Sequence, residues 1–191
     1  MTGAEIAFLD ASVLYQAAAR TLLMFLHLEG GFLPIWSDAV HEEWIAALLA
    51  NRPDLIRQQL ERTKELMNRD APGASISGYE HLIPMLVLPD ANDRHVLAAA
   101  IHGNARTIVT HNTRHFPAPL LAAHGLEALH PDAFVMRIFE RSPALVLMSA
   151  RRHKQSLTSP PVPVMRYLGS LETIGLAGTA AALKPYAQLM E

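Results

Sequence analysis

Short apolar runs alternate with longer segments of helical character along the first 130 residues of the chain. The runs typical of buried strands lie at 6–9, 32–36, 86–88, 107–110 and 125–129. The helical segments between them lie at 12–28, 38–50, 53–67 and 92–103. Strands separated by helices favour a parallel sheet that is covered by helices on both faces. We therefore expect an α/β fold, with Ser37 as the N-cap of the second helix.

The pattern changes near residue 140, beyond which helical segments continue without a convincing strand. Ser142-Pro143 is typical of a helix start, and "LTSPPVPV" (157–164) is typical of a linker. Two further helices are predicted at 164–174 and 178–190. The predicted division is a domain at 1–139 followed by a helical extension at 140–191.

Composition excludes several classes of protein. The chain contains no cysteine, which rules out disulfides and thiolate metal sites and suits a reducing compartment. No apolar run approaches the roughly 18 residues that a transmembrane helix needs. The amino-terminal stretch "MTGAEIAFLD" lacks the basic start of a signal peptide. We expect a soluble, cytoplasmic protein that does not bind membranes.

The small net charge of −2 conceals an asymmetry along the chain. The first 100 residues carry a net charge of −6, and the remaining residues carry +4. The basic excess is concentrated at 137–154. This distribution could mark a cation-binding centre beside a surface that faces a polyanion, or basic residues on an exposed helix face.

Acidic residues follow the predicted strands, where ligands bind in open parallel sheets. Asp10 directly follows the first strand, Asp90 and Asp93 follow the third, and Glu43 lies in the helix after the second. Carboxylates that lie close together repel and raise one another's pKa, and a divalent cation removes this conflict. Oxygen ligands without cysteine favour Mg²⁺ or Mn²⁺.

Each of these acids also has a purely structural interpretation. Asp90 and Asp93 have the spacing of the N-cap and N3 residues of a helix, where carboxylates satisfy unpaired N–H groups. Glu43, which adjoins Glu42, could belong to a solvated helix face. Asp10 is harder to explain in this way, because it abuts a buried strand where an unpaired charge is unfavourable.

Four stretches of the chain resemble the PIN-domain ribonucleases, most of which are VapC-type toxins of toxin–antitoxin pairs. They are "FLDASVLY" (8–15), "WSDAVHEEW" (36–44), "LPDANDRHVLAAAI" (88–101) and "IVTHNTRHFP" (108–117), in the family's order. The resemblance covers about residues 5–135. It implies a three-layer α/β/α fold with a short parallel sheet, and cleavage of RNA that depends on a divalent metal ion. The helical tail resembles those of some longer members.

The resemblance also implies roles for individual residues. Asp10, Glu43 and Asp93 would hold Mg²⁺ or Mn²⁺, so that a metal-activated water attacks an RNA phosphodiester. Asn112 and His115 would position that water or the scissile phosphate. The predicted catalytic residues are thus Asp10, Glu43, Asp93, Asn112 and His115, with Ser12 and Asp90 as auxiliary candidates.

His115 departs from the family's pattern, since the loop usually carries an acid at this place. Imidazole is a poorer ligand than carboxylate for Mg²⁺ and is better tolerated by Mn²⁺. The substitution could therefore shift the metal preference. The histidine could also orient a water, contact a phosphate when protonated, or weaken or abolish activity.

The implied substrate is RNA, and the implied partner is a cognate antitoxin protein. The candidate RNA-binding residues are Arg94, Arg114, Arg151 and Arg152, which we expect to contact the phosphate backbone or to be ordinary surface residues. The apolar run at 22–26 could line the antitoxin groove or a homodimer interface. Plain core is the favoured interpretation of this run.

Three other interpretations compete with a metal-dependent ribonuclease. His111 and His115 have the spacing of zinc ligands on a helix, but this stretch is a strand end and a turn. A haloacid-dehalogenase-type phosphatase would have a second Asp where the chain has Ser12. The strongest rival is a non-catalytic PIN-like module that binds RNA or protein. Such a module has no need of three mutually repelling carboxylates.

Overall fold

A five-stranded parallel sheet organises the amino-terminal part of the protein, as seen in a computed structural model that describes residues 4–191. The strands are β1 (Ile6–Leu9), β2 (Leu33–Ser37), β3 (Ser75–Ile76), β4 (Thr107–Val109) and β5 (Glu127–Leu129). Their order across the sheet is β3-β2-β1-β4-β5. The predicted α/β fold with a short parallel sheet is confirmed, as is the α/β/α class with additional helices at the carboxyl end.

Ten α-helices occur within the described residues. They are α1 (Ala11–Leu14), α2 (Ala17–Leu28), α3 (Asp38–Asn51), α4 (Arg57–Asp70), α5 (Arg94–His102), α6 (Ala118–Ala122), α7 (Pro131–Arg141), α8 (Pro143–Ser156), α9 (Val164–Thr173) and α10 (Ala177–Leu183). Short 3₁₀ helices form at Glu80–Met85, Ala91–Asp93, Thr113–His115 and Lys184–Met190. Between Ala4 and Glu191, no helix combines the length and the apolar character needed to cross a membrane.

The chain forms two compact units. One comprises the residues up to 15 together with 32–130, and the other comprises 16–31 together with 131–191. Helix α2 belongs to the second unit because its apolar side packs on α8. The division predicted from the sequence, 1–139 and 140–191, differs from this grouping, since it cuts through α7 and assigns α2 to the sheet domain.

The core of the first unit is built on the apolar strands. Phe8, Trp36 and Ile108 have no exposed surface. Helix α5 packs on β1, β2 and β4 through the buried run 96–100. Ser37 caps α3 as predicted, because its Oγ accepts a hydrogen bond from the Val40 N–H at 3.3 Å.

The prediction of a strand at 86–88 is wrong. This segment does not pair with any strand in the described part of the chain. Its side chains alternate between the interior and the surface, since Leu86 and Leu88 are buried while Val87 is 75% exposed. The strand beside β2 is instead β3, an edge strand that lies after the helix predicted at 53–67. It pairs with β2 in the register Trp36↔Ser75 and Ser37↔Ile76. Two residues give too short a hydrophobic pattern for a strand prediction.

Three predicted helices also differ from the observed ones. The helix predicted at 12–28 is divided into α1 and α2, because Gln16 is extended with φ −84° and ψ 105°. The helix predicted at 53–67 begins only at Arg57, since Pro53 lies in a turn. The first turn of the helix predicted at 92–103 is a 3₁₀ turn, and α5 begins at Arg94.

The core of the second unit includes the apolar run of α2. Leu22, Leu23 and Leu26 are buried, as the favoured interpretation of this run as core requires. They are joined by apolar side chains of the carboxyl-terminal helices, namely Phe134, Val135, Ile138, Val146, Leu168, Leu171 and Leu183.

Asp132 of α7 caps the start of α10 across the second unit. Its Oδ2 accepts the Gly178 N–H and its Oδ1 accepts the Thr179 N–H, both at 2.8 Å. Oδ1 also accepts the Thr179 hydroxyl at 2.7 Å. The N-cap residue Leu176 has no side-chain oxygen, so Asp132 takes over the role that Ser or Asp usually fills locally. A Cβ at Gly178 would lie 2.9 Å from Asp132 Oδ2, which explains the glycine.

Replacing Asp132 by Ala should lower the free energy of unfolding by about 1–2 kcal/mol, since two helix N–H groups lose their acceptor. Asp132→Asn, which keeps one carbonyl oxygen, should lose less. Urea denaturation followed by circular dichroism measures both effects. Glu140→Gln, on an exposed acid of the same helix, is the control and should behave as the wild type. Equal stabilities for Asp132→Ala and this control would contradict the capping role.

His153 is a buried histidine in the second unit. It is 3% exposed, and its Nδ1 lies 3.1 Å from the Tyr167 hydroxyl oxygen. Burial lowers the pKa of His153 from 6.5 to about 4. Burial also raises the pKa of the Tyr167 phenol. Both groups are therefore neutral near pH 7, as a buried pair without a charged partner requires.

The stability of the protein should depend on pH through His153. Between pH 6.5 and about 4, the unfolded state binds a proton at this ring that the folded state does not. The free energy of unfolding therefore rises with pH in this window, by about 3 kcal/mol in total. His153→Gln should flatten that part of the curve in urea titrations, whereas His124→Gln, at an exposed histidine, should not. The same slope in both variants would refute the assignment.

Candidate metal centre

The pairing of β1 with β4 brings the ends of two chain segments together. The strands are parallel with Leu9 opposite Val109, and the Asp10 N–H donates to the Val109 carbonyl oxygen at 3.1 Å. The next residues along each segment, Asp10 and Thr110, therefore lie side by side at the carboxyl edge of the sheet. Both are buried, with Asp10 6% exposed.

Two hydroxyl groups hold the Asp10 carboxylate. Its Oδ2 accepts hydrogen bonds from Ser12 Oγ at 2.6 Å and from Thr110 Oγ1 at 2.8 Å. The same hydroxyls accept the backbone N–H groups of His111 and Asn112, at 3.1 and 3.0 Å. This network stabilises a buried charge without a cationic side chain and ties the loop after β4 to Asp10.

Asp93, Asp90 and His115 form a compact cluster of potential ligands. Their ligand atoms all lie within 4.8 Å of one another. His115 Nδ1 is 2.8 Å from Asp93 Oδ2. Asp90 also caps the Ala91–Asp93 turn, the structural role given above as the alternative to metal binding. Its Oδ1 accepts the Asn92 N–H at 2.9 Å.

The electrostatics of this cluster suit a cation. Burial raises the pKa of Asp93 above its ordinary value, and the hydrogen bond and charge of His115, which act to lower it, do not compensate. The charges of Asp10 and Asp90 raise it further. Oxygen and imidazole ligands in such surroundings fit a small divalent cation, which would relieve this repulsion.

Glu43 reaches the same acidic region from α3 and has a histidine partner on α5. His95 Nε2 lies 2.7 Å from Glu43 Oε1. Burial acts to lower the pKa of His95, but its hydrogen bond to Glu43 and the charges of Glu43, Asp10 and Asp93 raise it overall. Glu42 instead forms an exposed ion pair with Arg57 at 3.1 Å. The two adjacent glutamates therefore have different partners, Glu43 a half-buried histidine and Glu42 an exposed arginine.

The predicted ligands and the observed cluster overlap without coinciding. Within residues 4–191, the cluster whose ligand atoms all approach one another closely contains Asp93 with Asp90 and His115, and includes neither Asp10 nor Glu43. The electrostatic influence of Asp10 on both Asp93 and His95 nevertheless places these acids in one region. The ligand set Asp10, Glu43 and Asp93 therefore stays a prediction, and Asp90 becomes a stronger candidate than the sequence indicated.

The two histidines that raised the possibility of zinc have different partners. His111 Nδ1 lies 3.0 Å from His130 Nε2, with the ring planes 77° apart. Burial and the neighbouring His130 lower the pKa of His111. His115 instead contacts Asp93. His111 and His115 therefore do not face a common ion, as two zinc ligands on one helix face would.

The other residues predicted from the sequence are Asn112 and the candidate RNA-binding arginines. Asn112 and Arg114 are exposed in the loop after β4, and Arg94 Nε donates to the Ala91 carbonyl oxygen at 3.0 Å. Arg151 is exposed on α8. Arg152, also on α8, forms an ion pair with Glu29 at 2.5 Å, and its guanidinium lies 5.0 Å from the centre of the Phe25 ring. Of the two arginines on α8, Arg151 is thus the better placed to contact a polyanion.

Three residues of this region were not predicted from the sequence: Thr110, His95 and His130. Thr110 could have been identified from its place directly after a strand, beside Asp10 in a parallel sheet. His95 lies two residues after Asp93, but nothing in the sequence shows that α5 presents it to Glu43. His130 contacts His111 only because β5 lies next to β4.

Comparisons with known proteins place these features in a family. A family profile described as PIN domain matches residues 7–114, and one described as VapC50 C-terminal domain matches residues 131–185. A protein of Mycobacterium tuberculosis (strain ATCC 25618 / H37Rv) with the description "Putative ribonuclease VapC50" is 52% identical over 44 residues. That alignment covers 23% of this chain and only 26% of the relative. No solved structure matches the chain.

The PIN match covers more than half of the 191 residues and includes the acids of the candidate metal centre, and it ends at residue 114, directly before His115. The second match begins at Pro131, where the second compact unit resumes. Both agree with the resemblance drawn from the four sequence stretches. The chain therefore belongs to the PIN-domain family, and its residues 131–185 are similar to the VapC50 C-terminal domain.

Proposed function

We propose that the protein is a metal-dependent endoribonuclease and the toxin of a toxin–antitoxin pair. The observation that carries this proposal is the meeting of Asp90, Asp93 and His115 within 4.8 Å, close to the buried Asp10, at the carboxyl edge of the sheet. Membership of the PIN-domain family supports hydrolysis of RNA phosphodiesters.

The proposed roles of the side chains are to bind the metal ion and to position the substrate. Asp93, with Asp90, His115, Asp10 and Glu43 around it, would hold Mg²⁺ or Mn²⁺. The chemistry that such an ion supplies when bound is a lower pKa for water and neutralisation of charge on the phosphoryl oxygens. Asn112, exposed in the loop tied to Asp10, would orient the scissile phosphate or the attacking water.

Exposed arginines support RNA as the proposed substrate, and the acids of the site support a proposed partner with a basic side chain. Arg114 is exposed in the same loop as His115 and would contact the RNA backbone, so that binding weakens as salt rises. Arg94 and Arg151 are further candidates for backbone contacts. The proposed antitoxin would silence the enzyme by presenting a basic side chain to the acids. A homodimer also stays a prediction.

A second candidate function is that of a non-catalytic PIN-like module that binds RNA or a protein. The observation that favours it is His115, which replaces an acid of the family's loop and engages Asp93 directly. Against it stands the buried Asp10, whose carboxylate is held by two hydroxyls although a neutral side chain would be easier to bury.

Cleavage of RNA should require a divalent metal ion and Glu43. Purified protein incubated with mixed cellular RNA should cleave it with Mn²⁺ or Mg²⁺ and not with EDTA. Glu43→Gln should reduce the cleavage rate at least about 100-fold, since removing one electrostatic contributor to a transition state commonly has an effect of this size. Gel analysis of cleavage products over time measures the rate.

The chain provides a matched control for this experiment. Glu42 precedes Glu43 on the same helix and is similarly exposed, with side-chain exposures of 54% and 47%. Glu42→Gln should therefore cleave at the wild-type rate. Cleavage that survives both EDTA and Asp10→Asn would overturn the mechanism. A folded wild type that binds RNA but does not cleave it under any metal would favour the binding module.

The identity of residue 115 should set the metal requirement. Replacing His115 by Asp restores the acid usual at this position, so the variant should reach half-maximal cleavage at a several-fold lower Mg²⁺ concentration. The change with Mn²⁺ should be smaller, because Mn²⁺ tolerates imidazole. Titrations of the cleavage rate with each metal measure this difference. An unchanged Mg²⁺ requirement would show that His115 is not a ligand.

A further inference from the structure

Of the four acids in the acidic region (Asp10, Glu43, Asp90 and Asp93), only Glu43 is exposed, so the surrounding protein restrains its side chain least. It lies on the surface of α3, and its side chain is 47% exposed. An exposed glutamate on a helix samples several rotamers, and fixing one of them costs side-chain conformational entropy. A carboxylate that must meet a cation binds it better when this ordering has already taken place.

His95 supplies a fixed partner for Glu43. Its ring is only 17% exposed, and Nε2 lies 2.7 Å from Glu43 Oε1. His95 belongs to the first turn of α5, which packs on β1, β2 and β4. The same helix start carries Asp93, two residues earlier. One rigid element therefore determines the positions of both Asp93 and the group that contacts Glu43.

The other ring nitrogen of His95 argues against a role in packing alone. Nδ1 is buried and has no hydrogen-bond partner in the described part of the chain. A buried polar atom without a partner loses its hydrogen bonds to water, a cost that an apolar side chain of similar size would avoid. The hydrogen bond from Nε2 to Glu43 therefore explains why this position carries a histidine.

We propose that His95 is a positioning residue that orients Glu43 for metal binding. By donating from Nε2 to Oε1, the ring selects one rotamer of Glu43 and leaves Oε2 for the cation. This inference rests on the proposed function, since it takes Glu43 as a ligand. It adds a residue outside the predicted catalytic set, and it distinguishes Glu43 further from Glu42, whose partner Arg57 is exposed.

The test compares two replacements of similar size in the full-length protein. His95→Gln keeps an N–H donor, whereas His95→Met fills the space without one. Titration of Mn²⁺ followed by electron paramagnetic resonance measures the dissociation constant without reference to activity. His95→Met should weaken Mn²⁺ binding at least about 10-fold, the usual effect of removing a hydrogen-bond partner of a ligand. His95→Gln should recover part of that loss.

The double variant His95→Met with Glu43→Gln tests whether His95 acts through Glu43. It should bind Mn²⁺ no more weakly than Glu43→Gln alone, because the positioned group is already lost. His102→Met, at an exposed histidine of the same helix, is the control and should bind as the wild type. Circular dichroism and urea denaturation of each variant measure folding separately from metal binding.

The possible failures can be told apart. Equal Mn²⁺ affinities for wild type and His95→Met would overturn the positioning role and leave the proposed function intact. Binding by His95→Met that equals or exceeds that of His95→Gln would assign His95 to packing. Additive losses in the double variant would show that His95 acts independently of Glu43. Wild-type binding that is unaffected by Glu43→Gln would remove Glu43 from the metal site, and the positioning role with it.

Discussion

The parallel pairing of β1 with β4 is the contact on which the site depends. It fixes Asp10 beside Thr110, and the two hydroxyls on Asp10 Oδ2 then anchor the loop that carries Asn112. A shift of one residue in this register would turn the Asp10 side chain to the other face of the sheet. The apolar strand residues therefore contribute to function by allowing only one alignment.

The acids of the site are stabilised by two kinds of partner, hydroxyl groups and imidazole rings. Hydroxyl groups hold Asp10, His95 holds Glu43, and His115 holds Asp93. None of these partners is a lysine or an arginine, whose permanent charge would compete with a cation for the carboxylates. Hydroxyl and imidazole donors order a carboxylate and still permit an ion to bind. The arrangement is thus suited to keep several acids together before a metal arrives.

Local sequence patterns predicted what depends on neighbouring residues. The strands at 6–9 and 107–110, the Ser37 cap and the place of Asp10 directly after the first strand follow from hydrophobic runs and cap chemistry, and the structure contains them. Asp90 and Asp93, by contrast, follow a segment that is not a strand. The edge strand Ser75–Ile76 and the contact between His95 and Glu43 depend on pairing between distant segments, which no local pattern encodes. The grouping of α2 with the carboxyl-terminal helices is missed for the same reason.

His115 and His95 together explain how the site can lack the family's usual acid in this loop. An aspartate at 115 would add a further negative charge beside Asp93, whose pKa burial and neighbouring acids already raise. As the proposed ligand, the His115 imidazole would contribute a ligand atom without that repulsion, and its Nδ1 lies 2.8 Å from Asp93 Oδ2. The exchange therefore favours the assembled but metal-free site, at the expense of attraction for a hard cation such as Mg²⁺. In its proposed positioning role, His95 would offset part of this loss, because it orders the more exposed Glu43 carboxylate without adding a permanent positive charge.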